Sequence, residues 1–119
     1  METFEKIKVG LSLERSAVVD KSMTTNFTKV PVLSTPMMIQ LMEIVCKDLV
    51  QDLLPPGFTT VGYEVHVKHK APAFLGSEVK TWCSLLEANG RKLLFEVRVT
   101  EGEKIIGEGQ HRRTIIQNS

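Results

Sequence analysis

The spacing of apolar residues changes twice along this chain. Leu11, Leu13, Ala17 and Val19 alternate with polar residues, which is typical of a strand. Between residues 35 and 54 the apolar residues recur at helical spacing, and after residue 57 the period returns to two. The pattern therefore predicts a strand, one long helix and then a run of further strands.

The predicted helix has clear signals at both ends. Thr35 is predicted to be the N-cap, because its hydroxyl can accept a hydrogen bond from a free backbone N–H, and Pro36 suits the first helical position. Pro55-Pro56-Gly57 cannot continue a helix. The apolar residues in between cover almost the whole circumference, which indicates burial on most sides: Met37, Met38, Ile39, Leu41, Met42, Ile44, Val45, Leu49, Val50, Leu53 and Leu54.

Four strands are predicted after the helix. The first is expected to place five residues on one face: Val61, Tyr63, Val65, Val67 and His69. Alternation continues over residues 79–86 and 93–99, and Asn89-Gly90 between them favours a type I′ hairpin turn. The last strand is predicted at residues 104–117, where Gly107 and Gly109 indicate a bend or a close backbone approach.

This order of elements predicts an α+β protein with a hot-dog fold. A helix that is apolar all round needs a sheet that curls about it, so we expect an antiparallel five-stranded curved sheet wrapped around one long central helix. Residues 1–119 are expected to form a single domain of this kind. One curved sheet leaves an edge and part of the helix uncovered, which favours a homodimer.

Composition and charge exclude several classes of function. The chain has 42% hydrophobic residues and a net charge of +1, so neither a nucleic acid nor a membrane is an expected partner. The basic pair Arg112-Arg113 is interpreted as a solvated strand end. Cys46 and Cys83 lack metal-ligand spacing and are predicted to be reduced core thiols, without a metal site. With no signal-peptide pattern at the N-terminus, we expect a cytoplasmic protein.

Three polar residues occur where the pattern predicts apolar surroundings. Thr35 begins the helix, Glu43 lies at its centre, and His69 ends the apolar face of the following strand. Each has an ordinary structural interpretation, as a cap, a solvated helix residue and a structural histidine. Together, a hydroxyl at a helix N-terminus, a half-buried carboxylate and an imidazole are the groups that acyl transfer needs.

The same residues resemble a known family. Residues 32–46 resemble the helix segment of the fluoroacetyl-CoA thioesterase family of hot-dog proteins, which has a Thr, a Glu eight positions later and a His twenty-six positions after the Glu. Thr35, Glu43 and His69 match that spacing, and Gly62 matches a family glycine. The segment from Gly107 to Arg113 is similar to the family ending Gly-x-Gly-x-His-x-Arg. The resemblance implies that Thr35, Glu43 and His69 are catalytic.

The chain departs from the family pattern at two places near the predicted site. Pro36 stands where the family has glycine, which removes one N–H that could face a substrate carbonyl. The preceding loop, residues 24–31, does not align, and Phe27 is the one possible counterpart of the family's aromatic lid. Pro36, Gly62 and Phe27 are therefore predicted to contact substrate, and selectivity for fluoroacetyl groups is not implied.

The resulting prediction is hydrolysis of a small acyl-CoA thioester, with coenzyme A as part of the substrate and no cofactor. A non-catalytic acyl-CoA binding or sensing module is the alternative. An enoyl-CoA hydratase is disfavoured, because that chemistry would need an Asp and a His before the helix and this chain has no His there. Eight helical residues rise about 12 Å, so Thr35 and Glu43 of one helix cannot touch. We therefore expect a site at a dimer interface, shared between two subunits.

Overall fold

The computed structural model describes residues 4–118, which form one five-stranded antiparallel sheet and one long α-helix. The elements are β1 (Ser12–Val18), a short 3-10 helix (Lys21–Met23), α1 (Thr35–Gln51), β2 (Phe58–His69), β3 (Glu78–Asn89), β4 (Lys92–Glu101) and β5 (Lys104–Gln117). The strand order in the sheet is β1-β3-β4-β5-β2. The predicted element order is confirmed.

The helix packs across the inner face of the sheet. Its buried residues are Met38, Met42, Val45, Cys46 and Val50, and they meet the buried row Leu93, Phe95, Val97 and Val99 of β4. Burying these apolar surfaces supplies the main driving force for folding. One side of the helix stays open, since Ile44 is 46% exposed. The predicted α+β hot-dog architecture is confirmed, but burial of the helix on most sides is incomplete.

The helix begins one residue earlier than predicted. Ser34, and not Thr35, is the N-cap: its backbone is extended and its Oγ accepts a hydrogen bond from the Met37 N–H at 3.3 Å. Thr35 and Pro36 are therefore the first two helical residues. The prediction of a Thr35 cap was wrong because Ser and Thr are both good caps and two such residues stand together. As a result, the Thr35 hydroxyl is free for another partner.

The helix also ends earlier than predicted, at Gln51 and not at Leu54. Leu53 N–H bonds to Val50 O and Leu54 N–H to Gln51 O, so the last turn tightens to bonds between residues three apart. A residue before proline avoids the helical region, which is why Leu54 cannot extend the helix up to Pro55.

Strand β2 contains a bulge that the sequence pattern did not predict. Gly62 pairs with Arg113 and Glu64 with Arg112, so Tyr63 is an extra residue in the ladder with β5. The bulge reverses the alternation of faces. Val61 is directly paired with Thr114 on the outer face, whereas the row Val65, Val67 and His69 is paired with the inner row His111, Gly109 and Gly107. The prediction of one continuous face from Val61 to His69 was therefore wrong.

Two other predictions about packing are confirmed. A Cβ on Gly109 would lie 2.6 Å from Val67 Cα, and one on Gly107 would lie 3.0 Å from Lys68 O, so both glycines permit a close approach of β2. Cys46 and Cys83 are free thiols, both buried in the core. Among residues 4–118 no helix is long and apolar enough to cross a membrane. A cytoplasmic location stays a prediction.

Candidate active site

Thr35 and His69 meet across the start of the helix and the end of β2. The Thr35 Oγ1 atom lies 2.8 Å from Nδ1 of His69, so the two side chains share a hydrogen bond. This contact is possible because Ser34 caps the helix and leaves the Thr35 hydroxyl available. A hydroxyl bonded to an imidazole is a typical nucleophile–base or donor–acceptor pair in acyl transfer.

An open groove of about 460 Å³ lies beside this pair. The loop before the helix forms one wall with Thr25, Phe27 and Thr28, and the segment after β2 forms the other with Ala71 and Pro72. Phe27 is 84% exposed, so its ring is available to an incoming molecule. The loop that holds Phe27, the possible counterpart of the family's aromatic lid, therefore borders the Thr35–His69 pair.

The imidazole of His69 is held in its neutral form near neutral pH. Partial burial lowers the pKa of His69 below 6.5, and a hydrogen bond with the backbone of Ala71 opposes that change. A neutral imidazole can accept a proton at one ring nitrogen and donate from the other, which general acid–base catalysis requires.

Glu43 lies in a second depression, away from Thr35. This depression holds about 320 Å³ and is lined by the following residues: Gln40, Glu43, Ile44, Lys47, Thr60, Val61, Gly62 and Arg113. Glu43 is half-buried, and the negative charge of Glu43 favours the charged form of Arg113. Glu43 and Arg113 line the same depression, and Glu43 acts on the guanidinium through its charge.

Arg113 is buried, with 6% of its surface exposed, and its guanidinium is firmly held. Nε donates to Thr60 Oγ1 at 2.8 Å, Nη2 to Thr60 O at 2.9 Å, and Nη1 to His111 Nε2 at 3.2 Å. Burial lowers the pKa of Arg113, while the charge of Glu43 raises it. The interpretation of Arg112-Arg113 as a solvated strand end is wrong for Arg113, whose side chain points to the inner face.

Gly62 permits the close approach of this cluster to β2. A Cβ at position 62 would lie 2.7 Å from His111 Cε1 and 3.1 Å from Glu43 Oε2. Any side chain would therefore displace one of the two groups. Gly62, which was predicted as a substrate contact, therefore leaves the space that the side chains of His111 and Glu43 occupy.

The structure brings together two of the three predicted catalytic residues. Thr35 and His69 are hydrogen bonded, whereas Glu43 lines a different depression with Arg113 and Gly62. Thr35 and Glu43 are eight residues apart on one helix, a rise of about 12 Å, so their side chains cannot meet within one chain. The chain therefore holds the Thr35–His69 pair and Glu43 in two separate depressions.

Few backbone donors remain at the helix N-terminus. Met37 N–H bonds to the Ser34 side chain, Met38 N–H bonds to Ser34 O, and Pro36 has no N–H. Within residues 4–118, the N–H of Thr35 is the one donor of the first turn that neither the cap nor a turn engages. The expected row of helix N–H groups facing a carbonyl is thus reduced to Thr35 and its hydroxyl.

The sequence did not identify Thr60, His111 or Arg113 as parts of the Glu43 cluster. A signal was present, because His111 and Arg113 belong to the segment that resembles the family ending. Their burial depends on the pairing of Leu93 with Arg113 and of Phe95 with His111, which places both on the inner face. That register is not visible in the sequence pattern alone.

A hot-dog domain with a hydroxyl–imidazole pair and a separate carboxylate cluster is a thioesterase-like architecture. The chain belongs to the fluoroacetyl-CoA-specific thioesterase family, whose model matches residues 19–119. It is 33% identical over 85 residues to the fluoroacetyl-CoA thioesterase of Streptantibioticus cattleyicolor. That alignment covers 71% of this chain and 61% of the relative's length. The predicted family and thioesterase class are confirmed.

Solved structures agree in fold. The fluoroacetyl-CoA thioesterase FlK superposes with a TM-score of 0.88 at 28% identity, covering 93% of this chain and 89% of that one. A FlK variant in complex with fluoroacetate and CoA gives a TM-score of 0.85 at 28% identity, covering 93% and 96%. A hot-dog-like protein from Thermanaerovibrio acidaminovorans is similar in fold, with a TM-score of 0.88 at 24% identity. The superposition covers 98% of this chain and 89% of that one.

Proposed function

We propose that this protein hydrolyses a small acyl-CoA thioester to the free acid and coenzyme A. The observation that supports the proposal is the 2.8 Å hydrogen bond between Thr35 and His69, beside a groove wide enough for a short acyl group. Family membership and a FlK variant solved with fluoroacetate and CoA support the same substrate class.

The proposed site needs a carboxylate from a second subunit. Thr35 and its N–H hold the thioester carbonyl, and the partner subunit's Glu43 acts on the carbonyl carbon. Glu43 either removes a proton from the attacking water or attacks directly to form an anhydride that water then cleaves. In both routes the C–S bond breaks and the thiolate leaves. The attacking water supplies a proton, which the neutral His69 accepts and passes to the thiolate sulfur. The net reaction adds one water across the thioester bond.

The edge of β2 is the proposed dimer interface. Among residues 4–118, β2 pairs with β5 alone, so in this part of the chain its other edge is free for a second copy. Three apolar residues of this strand are exposed to an unusual degree: Val61 (42%), Tyr63 (48%) and Val65 (39%). An exposed apolar edge strand favours pairing with another strand, and a two-fold axis closes the assembly as a homodimer.

A specific register of this pairing would complete two sites. Gly62, beside Glu43, and His69, beside Thr35, are separated by seven residues of β2, about 23 Å. If two β2 strands pair antiparallel about a point midway between them, Gly62 of each subunit lies opposite the partner subunit's His69. Each half-site then meets its complement, and the symmetry produces this arrangement twice.

Two of the predicted substrate contacts, Phe27 and Pro36, lie at or next to residues of the groove. Phe27 borders it, and Pro36 follows Thr35 directly, so both are proposed to contact the acyl group or the pantetheine arm. Coenzyme A is part of the substrate, and no other cofactor is proposed. Residues 4–118 contain no group of three or more His, Cys, Asp or Glu side chains suited to a metal ion.

The proposal is tested by a panel of acyl-CoA thioesters, including acetyl-CoA and fluoroacetyl-CoA, with release of free thiol as the readout. Glu43→Gln is expected to lower kcat by at least about 100-fold while acyl-CoA binding is retained. Asp48→Asn is the matched control on the same helix, because Asp48 forms only a loose ion pair with Arg15 at 3.6 Å.

The binding-module alternative gives a different result. If the wild-type protein binds acyl-CoA but releases no thiol from any member of the panel, the thioesterase proposal is wrong. If wild-type hydrolysis is unaffected by Glu43→Gln, the proposed role of the carboxylate is wrong.

A further inference from the structure

His111 is a buried titratable residue that the proposed reaction does not use. It is 1% exposed, and its ring stacks on the ring of Phe95. The two centroids are 6.5 Å apart and the ring planes are inclined by 27°. Its Cε1 edge faces Gly62, which has no side chain to fill that space. The ring therefore stacks on Phe95, and its edge occupies the space that a side chain at position 62 would need.

The two ring nitrogens of His111 face groups of opposite kind. Nδ1 lies 2.8 Å from the carbonyl oxygen of Glu64, which can only accept a hydrogen bond. Nε2 lies 3.2 Å from Nη1 of Arg113, which can only donate. Only the neutral ring with its hydrogen on Nδ1 satisfies both contacts.

The charges around His111 are few. Glu43 faces it from α1 and Arg113 from β5, while β2 contributes only the Glu64 carbonyl, because the Glu64 side chain binds Arg112 at 3.0 Å. β4 contributes the uncharged ring of Phe95. Burial is the main cause that lowers the pKa of His111, and Arg113 adds to it, against the Glu64 bond and Glu43.

We infer that His111 is a positioning residue, whose Nε2 lone pair holds the Arg113 guanidinium in place in the depression that Glu43 also lines. The inference deepens the proposed function, since Glu43 is the carboxylate of the proposed reaction. Thr60 fixes the other edge of the guanidinium through two bonds, so His111 completes the clamp. Protonation of His111 would turn Nε2 into a donor facing a donor, which would release Arg113 from this position.

The first test needs no turnover. Nitrogen-15 NMR of the wild-type imidazole groups at neutral pH should show, for His111, a protonated Nδ1 and a bare Nε2, with assignment by His111→Gln. The Arg113 Nε–H signal should exchange slowly with water, because this hydrogen is bonded to Thr60. A hydrogen on Nε2 of His111, in either a neutral or a doubly protonated ring, would overturn the inference.

The second test compares two substitutions of His111. The Gln side chain of His111→Gln can place an amide N–H towards Glu64 O and an amide oxygen towards Arg113, whereas His111→Leu supports neither contact. We expect His111→Leu to lower kcat by roughly 100-fold, as a misplaced group does, and His111→Gln to recover at least about a tenth of wild-type kcat. The slow Arg113 Nε–H exchange should be lost in His111→Leu and kept in His111→Gln.

Gln110→Leu is the control, because Gln110 is exposed and neighbours His111 in β5. The inference is wrong if folded His111→Leu keeps wild-type kcat, or if His111→Gln is as impaired as His111→Leu at equal stability. If the wild-type protein hydrolyses no acyl-CoA, the proposed function fails, and the two NMR readouts still decide the part of His111.

Discussion

Ser34 and Thr35 are adjacent hydroxyl residues with different partners. Ser34 Oγ accepts the Met37 N–H of the first helical turn, whereas Thr35 Oγ1 bonds to His69 of β2. One therefore stabilises the helix and the other links the helix to the end of the sheet. This division follows from position, because only the residue before the first helical one can cap it.

Substituting each of these two residues should change a different measurement. Thr35→Val keeps the shape of the side chain and removes the bond to His69, so we expect turnover of acyl-CoA to fall by at least about tenfold with little change in the unfolding midpoint. Ser34→Ala removes the cap and should lower the free energy of unfolding by about 1 kcal/mol. Thiol release and urea unfolding check the two outcomes. Unchanged turnover in Thr35→Val would exclude the hydroxyl from the reaction.

At the scale of elements, the close pairing of β2 with β5 depends on glycine. A Cβ on Gly109 would lie 2.6 Å from Val67 Cα and closer still to the carbonyl of His66. Backbone atoms cannot give way as a flexible side chain can. We expect Gly109→Ala to lower the free energy of unfolding by about 3 kcal/mol, at the upper end of overpacking effects.

The measurement for Gly109→Ala is urea unfolding together with hydrogen exchange of the β2 amides. Exchange should accelerate in β2 before it does in β3 and β4, because the strain acts at the outer strand pair. Gln110→Ala, the next residue, has its side chain on the exposed face and serves as the control. Equal stability of the two variants would show that β2 can move away from β5 at low cost.

Much of the fold could be predicted from the spacing of apolar residues, but the details around β2 could not. The period-two pattern identified the strand and its inner row from Val65 to His69, yet it gave no sign of the bulge at Tyr63. A bulge depends on the pairing partner, which only the folded ladder specifies. The same ladder turns Arg113 inward, so its burial could not be inferred from the basic pair Arg112-Arg113.

At the scale of the whole molecule, two histidines link stability to pH. The pKa of His69 and that of His111 are both lowered from 6.5, chiefly by burial. Well above pH 6.5, neither the folded nor the unfolded state binds these protons, so the two histidines do not lower the free energy of unfolding. Below pH 6.5 the unfolded chain takes up protons that the folded chain resists, and stability falls until the folded-state pKa values are reached. The urea midpoint should therefore be lower at pH 5.5 than at pH 7.5.

The variant His111→Gln supplies the control for this pH dependence. It removes one of the two titrating groups, so the difference between the two midpoints should become smaller while the contribution of His69 remains. An unchanged or larger difference would mean that His111 is not the group responsible.

The proposed sharing of each site between two subunits leads to a prediction about mixed dimers. Thr35→Val and Glu43→Gln each impair one half-site of every subunit, so each homodimer should be nearly inactive. In a mixed dimer, one site combines the intact Thr35 of one subunit with the partner subunit's intact Glu43, and the other site combines both substitutions. After subunits exchange at equal concentrations, half of the dimers are mixed and half of their sites are intact. Thiol release should thus recover to about one quarter of the wild-type rate, in the manner that two-fold symmetry requires.

Mass spectrometry of one isotope-labelled variant verifies the exchange, and mixed dimers without recovered activity would show that each site is built from one subunit.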